Sequence, residues 1–399
     1  MLPLGFASGL PLALSGGTLQ AWLTTAGIDV KAIGLFSLVG LPYTLKFLWS
    51  PLVDRFVPPF LGRRRGWILL FQFSLTLVMA FMATHRPQHA LYLFGVSALL
   101  LAFFSASQDI VIDAYRTDIL KPVERGFGAG VHVTAYRLAM IVSGAIALIL
   151  GDRLGWGTTY FLMAMIMGAV ALTTPALPEP KEAPSPMDLK SAIIAPFIDF
   201  VSRPRWLALL TLIVLYKLGD AFCGSLTTCF LIRGAGFSPT DVGVINKGMG
   251  LAATIAGAVG GGALMARLGL FNSLFYFGLL QAFSNLAFMA LALVGKDYPM
   301  MVLAVAIENL SGGMGTAAFV AFLMSLCNSR YSATQYALLS ALASLGRVFV
   351  GPPAGIIVSD TSWSTFFLIS FLTAIPGLAI LVYLRPYLIA HSKTDERSL

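Results

Sequence analysis

Between Ser105 and Asp118 the chain reads S-A-S-Q-D-I-V-I-D-A-Y-R-T-D, which sets Asp109 and Asp113 four residues apart. On a helix that spacing puts both carboxylates on one face. The segment follows an apolar run long enough to cross a bilayer, and Asp109 arrives before that run has ended. An ionisable group at the centre of a spanning helix costs about 2.5–3.5 kcal/mol to insert, so it needs water, a cation or a proton. The chemistry to expect is therefore proton uptake and release. Asp109, with no basic residue within a turn of it, is the main candidate carrier, and Asp113, Asp220 and Glu308 are its candidate partners.

The ionisable residues inside apolar runs are Lys46, Asp109, Asp113, Arg137, Lys217, Asp220, Lys247, Glu308 and Arg347. At about 3 kcal/mol each, leaving all of them against lipid would cost about 27 kcal/mol, more than a folded domain has to spare. They must face an interior. Lys217 and Asp220, three residues apart, can neutralise each other on one helix face. Arg137 and Arg347, with Lys46 and Lys217, suit an anionic solute, because a guanidinium grips a carboxylate by two hydrogen bonds; they serve equally as pegs between neighbouring helices. Trp22, Tyr43, Tyr115, Tyr136 and Tyr216 can stack on sugar faces or simply pack. Cys223, Cys229 and Cys327 show no disulfide pattern, and no metal-ligand spacing or nucleophile motif occurs, so neither a metal, a cofactor nor an enzyme is expected.

These residues need elements that hold them in a bilayer. Of 399 residues, 57% are hydrophobic and 11% charged, a balance suited to an integral membrane protein. Apolar runs without alternation predict helices, not barrel strands. Twelve spans are expected near 2–24, 32–54, 67–85, 90–114, 127–150 and 158–177, then 205–233, 242–265, 272–294, 299–326, 334–358 and 364–385. The first reads as a true span and not as a cleaved leader, since Gln20 and Trp22 sit inside it. Arg63 to Arg65, Arg116, Arg203, Arg205, Arg267 and Arg385 crowd the loops on the side of the termini, against Lys31, Arg86, Arg153, Arg233 and Lys296 opposite. That bias predicts both termini in the cytoplasm. It also accounts for the net charge of +8 without a nucleic-acid partner.

The chain repeats itself weakly. Ala26-Gly27-Ile28 with Gly34 answers Ala235-Gly236-Phe237 with Gly243, and Tyr136-Arg137 answers Gly346-Arg347. Two six-helix halves joined by a polar linker resemble the major facilitator superfamily, giving an all-α membrane protein of two pseudo-symmetric halves at 1–177 and 205–399. The linker, 178–204, carries an expected interfacial helix over Met187 to Val201. Asp54-Arg55 followed by Gly62-Arg63-Arg64 looks like that superfamily's loop between spans two and three. The resemblance implies a conformational latch at Asp54 and Arg55, with Arg267 in the degenerate second copy; a solvated basic turn that sets topology is the plain alternative. It also implies that spans one, four, seven and ten line a cavity, which gathers Asp109, Asp113, Lys217, Asp220, Glu308 and Asn309.

A narrower likeness follows from Gly5-Phe6-Ala7-Ser8-Gly9-Leu10-Pro11, Thr18-Leu19-Gln20-Ala21-Trp22, Ser105-Ala106-Ser107-Gln108-Asp109, Tyr216-Lys217-Leu218-Gly219-Asp220 and Glu308-Asn309-Leu310-Ser311-Gly312-Gly313. These stretches resemble the AmpG family of muropeptide permeases. The resemblance implies a bacterial inner-membrane importer that uses protons to bring N-acetylglucosaminyl-1,6-anhydro-N-acetylmuramyl peptides from periplasm to cytoplasm. Those solutes feed peptidoglycan recycling and induce β-lactamase, hence a link to antibiotic resistance. Candidate substrate contacts are then Gln20, Trp22, Lys46, Ser105, Gln108, Arg137, Tyr216, Lys217, Asn309 and Arg347, in a chain expected to act as a monomer. Many relatives add a cytoplasmic lead-in and two C-terminal helices, whereas this chain begins inside span one and stops after span twelve. Two rivals stand beside this reading: an acetyl-coenzyme A carrier, which shares a similar Gln-Asp pair on span four, and a muropeptide sensor that binds without transporting.

Overall fold

The computed structural model describes residues 1–120, 125–180, 197–327 and 332–388. Among them are twelve helical stretches long and apolar enough to cross a membrane. In chain order, spans 1 to 6 are Leu2–Thr25, Val30–Leu48, Arg63–Thr84, Leu91–Arg116, Gly130–Leu154 and Trp156–Ala176. Spans 7 to 12 are Trp206–Gly234, Pro239–Leu268, Leu270–Val294, Tyr298–Ser325, Leu338–Asp360 and Trp363–Tyr383. The expected all-α class and span number are what the structure has, with boundaries moved by a few residues. Outward faces carry Phe73, Leu77 and Phe81 on span 3 and Leu293 and Val294 on span 9, apolar surface that lipid accepts and water does not.

The described chain divides into two compact units. The first takes Met1–Asp29, Leu38–Pro186 and Phe237–Lys247; the second takes Val30–Ser37, Met187–Gly236 and Gly248–Leu399. Each unit thus includes the first turns of a span that the sequence gives to the other half. The repeated glycines explain the fit. In the second unit a Cβ on Gly34 would lie 2.4 Å from the Gly351 carbonyl oxygen, and in the first a Cβ on Gly243 would lie 2.7 Å from that of Ala145. Only glycine lets main chains come this close. Beside these contacts Asp360 pairs with Lys31 at 2.9 Å, while Asp152 accepts from the Thr240 hydroxyl at 2.5 Å.

Several spans are broken helices, and the breaks decide which side chains meet. Pro11 lies inside the first segment of span 1, Leu2–Leu14. Having no N–H, it cannot serve the carbonyl of Ala7, four residues back. Gln108 of span 4 serves it instead: its Nε2 donates to Ala7 O at 2.9 Å, with both residues fully buried. The second segment of span 1 starts only at Gly17, and the Tyr160 hydroxyl of span 6 donates to Leu14 O at 2.7 Å. Span 11 repeats the device. Its helix stops at Phe349 and resumes at Gly351; Pro352 leaves the Val348 carbonyl without its usual donor, and Ser37 of span 2 donates to it at 2.8 Å.

At the end of the first unit nearest the polar linker, charges fix the helix ends. Arg64 Nε donates to Asp118 at 2.8 Å. Glu179 accepts from the main-chain N–H groups of Arg64, at 2.7 Å, and Arg65, at 3.1 Å, and from Arg65 Nε at 3.1 Å. A carboxylate on the first N–H groups of a helix meets both its unbonded donors and its dipole. The interfacial helix expected over Met187 to Val201 lies outside the described residues except at its end, where residues 197–201 are helical. There Asp199 binds Arg203 at 2.6 Å and accepts from the Gln335 amide at 2.7 Å.

The Pro11 device is testable. Gln108→Leu leaves the Ala7 carbonyl unbonded in a dry helix contact and should cost about 1–3 kcal/mol. In a Pro11→Ala background, where residue 11 again carries an N–H, the same change should cost less than about 1 kcal/mol. Thermal unfolding of the detergent-solubilised variants measures both; equal losses in the two backgrounds would show that Gln108 does not replace the missing donor.

Candidate functional site

Span 1 enters the first unit's polar cluster one residue beyond the carbonyl that Gln108 caps. Ser8 donates to Asp109 Oδ1 at 2.5 Å, so neighbouring residues of span 4 grip neighbouring residues of span 1. The grip is close because Gly5 and Gly9 flank it: a Cβ on either would lie 2.4 Å from a carbonyl oxygen of span 5, at His132 and Tyr136. Asp109 is half-buried. Lys46 of span 2 and Asp113 both lie near enough to act on it electrostatically. Tyr43 stands beside Ser105 and shares a hydrogen bond with Ser15 at 3.2 Å. The Gln108 Oε1, turned away from Ala7, is buried and has no partner among the described residues. The arrangement offers a carboxylate that can exchange a proton, a cation that answers its charge, and hydroxyls able to follow either state.

Asp113 differs from Asp109. It is exposed and pairs with Arg116 at 3.1 Å on its own helix, a geometry in which water carries much of the charge.

In the second unit Lys217 and Asp220 of span 7, Glu308 of span 10 and Arg347 of span 11 line one cavity of about 430 Å³. Span 7 breaks at Lys217, between the helices Trp206–Tyr216 and Leu218–Cys229. From that joint Lys217 Nζ reaches Asp220 Oδ2 at 3.1 Å, which is the local pair the spacing predicts. Glu308 and Arg347 face the same space, with Ser225, Thr316, Tyr336, Ser340 and Ser344. Glu308 is steadied by Asn309, whose amide donates to it at 2.7 Å; Asn309 Oδ1 in turn accepts from Thr254 of span 8 at 3.0 Å. No carboxylate pairs with Arg347 among the described residues. A cavity holding an unpaired guanidinium, a Lys–Asp pair and a glutamate can take an anionic group at one end and hydrogen-bonding groups along its wall.

Other candidates lie elsewhere. Trp22 is buried between Phe94, at 4.8 Å edge-on, and Tyr160, at 4.7 Å, with Trp156 stacked beyond. Tyr216 lies flat on Phe319 at 5.3 Å, and its hydroxyl donates to Leu274 O at 2.8 Å. Both rings are held by packing, and Trp22 also lines a cavity of about 560 Å³ with His85, Arg86 and Trp156. Gln20 is half-buried on the second segment of span 1, and Arg137 is exposed, with its guanidinium 3.8 Å from the Met140 sulfur. Asp54 and Arg55 end a short helix, Ser50–Arg55, but their side chains are outside the described residues; Arg267 is exposed near the end of span 8. The sequence reading missed Ser8 and the approach of Lys46 to Asp109. Pro11 was the available signal for the first, since it marks the turn of span 1 that needs outside donors.

Comparison with known proteins agrees with this architecture. The family model described as Major Facilitator Superfamily matches residues 1–350. An anhydromuropeptide permease of Escherichia coli K12 is 54% identical over 387 residues, covering 96% of this chain and 79% of that protein. A putative transporter, AmpG 4, of Rickettsia conorii is 35% identical over 392 residues, covering 96% and 94%. Among solved structures, the nucleoside transporter NupG superposes with a TM-score of 0.74 at 13% identity, covering 96% of this chain and 98% of that one. With twelve spans, a polar interior in each unit and these relatives, the chain belongs to the Major Facilitator Superfamily of transporters.

Proposed function

We propose that the protein is a proton-coupled permease of the bacterial inner membrane that imports anhydromuropeptides by alternating access. The cargo is argued from the 54% identical anhydromuropeptide permease of Escherichia coli. The observation that carries proton coupling is the half-buried Asp109, held by Ser8 at 2.5 Å with Lys46 nearby. The orientation follows from the charges in the loops: with the basic side cytoplasmic, both termini are inside, and a proton gradient directed inward then drives import.

The chemistry runs through the carboxylate–cation pairs. While Asp109 is ionised, it answers Lys46. A proton on Asp109 removes that claim and leaves Lys46 to an anionic group of the cargo; in the second unit, Lys217 and Arg347 offer cations for the same purpose. Ser105 and Asn309 are the candidate neutral contacts, and Gln108 offers its Oε1, which Ala7 leaves free, as an acceptor for a cargo N–H or O–H. Asp220 and Glu308 act as accessory proton sites and Asp113 as a gate residue near the cytoplasmic surface. Asp54, Arg55 and Arg267 take the latch role in this reading. Each net positive charge entering across 100 mV, that is, each proton beyond those that balance the cargo's own anionic groups, releases about 2.3 kcal/mol, enough to sustain roughly a forty-fold concentration ratio of cargo.

Purified protein in proteoliposomes, given labelled anhydromuropeptide and an inwardly directed pH gradient, should accumulate the label, and a protonophore should abolish accumulation. Binding without accumulation would favour a sensor, and strong competition by acetyl-coenzyme A the other carrier class. Asp109→Asn should lower gradient-driven accumulation at least roughly tenfold while cargo exchange between equal pH compartments survives; near-normal accumulation would remove Asp109 from the coupling role. Arg347→Gln should raise the half-saturating concentration roughly tenfold, the worth of a hydrogen bond to a charged group. An unchanged value would mean that Arg347 does not touch cargo.

A further inference from the structure

The second unit holds a buried polar group that the transport site does not use. Gln281, in the middle of span 9, is 5% exposed, and neither its amide nitrogen nor its amide oxygen has a partner among the described residues. A primary amide removed from water and left unbonded is costly, so such a residue calls for a partner in some state of the protein.

Its surroundings indicate which one. Span 10 passes over Gln281 with glycines. A Cβ on Gly315 would lie 2.4 Å from Gln281 Oε1, and a Cβ on Gly312 would lie 3.9 Å from Gln281 Nε2 and also 3.9 Å from Asp220 Oδ1. The amide nitrogen and the carboxylate oxygen therefore face one notch, kept open by the missing side chain of Gly312. Asp220 binds Lys217 through its other oxygen, Oδ2, at 3.1 Å. Four residues along span 9, Asn285 donates to the carbonyl of Gly219 at 3.3 Å, fixing span 9 against this same turn of span 7.

The internal repeat sharpens the contrast. Gln72 on span 3 stands at the corresponding position of the first half and is also fully buried. Its Oε1 accepts from the Thr174 hydroxyl at 2.6 Å. The Gln72 Nε2 is without a partner among the described residues, as that of Gln281 is; the difference is that Gln281 has no hydroxyl on its oxygen and that its nitrogen faces a carboxylate.

We propose that Gln281 is a positioning residue for the second-half cation: its amide takes over Asp220 through the Gly312 notch when Lys217 turns to an anionic group of the cargo. Without that second donor, Lys217 could leave only by stranding Asp220 as an unpaired charge, a penalty that cargo binding would have to meet. The inference rests on the proposed role of Lys217 as a cargo contact.

Uptake kinetics of labelled anhydromuropeptide in proteoliposomes test it in a double-mutant cycle. Gln281→Met keeps volume and removes both amide groups. It should raise the half-saturating concentration roughly tenfold and leave the maximal rate within about twofold. In an Asp220→Asn background, where no charge is stranded, the same change should alter the half-saturating concentration by less than about twofold. Gly312→Ala, which closes the notch without touching Gln281, should reproduce the affinity defect and serves if Gln281→Met folds poorly. An unchanged half-saturating concentration in Gly312→Ala, or an equal loss with and without the Asp220 carboxylate, would overturn the proposal and leave Gln281 as the host of a buried water. Wild-type protein that takes up no anhydromuropeptide would overturn the transport reading, and this one with it.

Discussion

A carbonyl group inside a bilayer must find a donor within the protein, because lipid supplies none. The first unit is organised around one such carbonyl. Pro11 removes the donor that Ala7 would have had, and the replacement, Gln108, comes from span 4. Once Gln108 is fixed on Ala7, its neighbour Asp109 is fixed on Ser8. A proline in span 1 thereby sets the position of the carboxylate on which the proposed coupling depends. The glycines at 5 and 9 complete the constraint by letting span 5 close over the same turn.

The two units solve the problem of an intramembrane acid differently. Asp220 has its cation three residues away on the same span, so that pair forms as the helix forms. Asp109 has no cation within a turn of it on span 4, and the charge of Lys46 acts on it from span 2 only when the spans assemble. A pair within one helix is insensitive to movement between helices. One that joins two spans feels any such movement, which makes Asp109 the better place to couple a proton to a change of shape.

What the sequence made legible follows from the same physics. Span length and apolar composition give twelve helices because the bilayer fixes both. The repeat was visible in Gly34 and Gly243 because a main-chain contact tolerates no other residue there. The Lys217–Asp220 pair was visible because helical geometry alone makes it. Lys46 and Asp109 are far apart in the chain, and nothing in either neighbourhood announces the other. Trp22 and Tyr216 were ambiguous for a related reason: an aromatic ring that packs and one that stacks on a sugar have the same local sequence, and the rings these two pack on, Phe94, Tyr160 and Phe319, lie far away in the chain. Glu179, read as part of a polar linker, turned out to hold the start of span 3, a contact between residues more than a hundred positions apart.

The five cations inside the spans also share a setting that their spacing alone does not reveal. Lys217 is the joint of a broken span. Lys46 opens a short 3₁₀ turn, Lys46–Leu48; Lys247 lies in a π-helical stretch, Val242–Met249; Arg137 stands one turn before another, Ile141–Ile146; Arg347 precedes the break at Val350. Asp109 sits opposite the proline of span 1. Departures from regular α-helix free carbonyls and amides and loosen packing, and both reduce the cost of holding a charge away from water. A straight helix gives a buried charge neither. The irregular turns are therefore where this chain keeps its cations in the membrane, and the same turns are where a helix can bend. Charge and flexibility fall on the same residues for one physical reason, which is what a carrier that moves around a charged cargo requires.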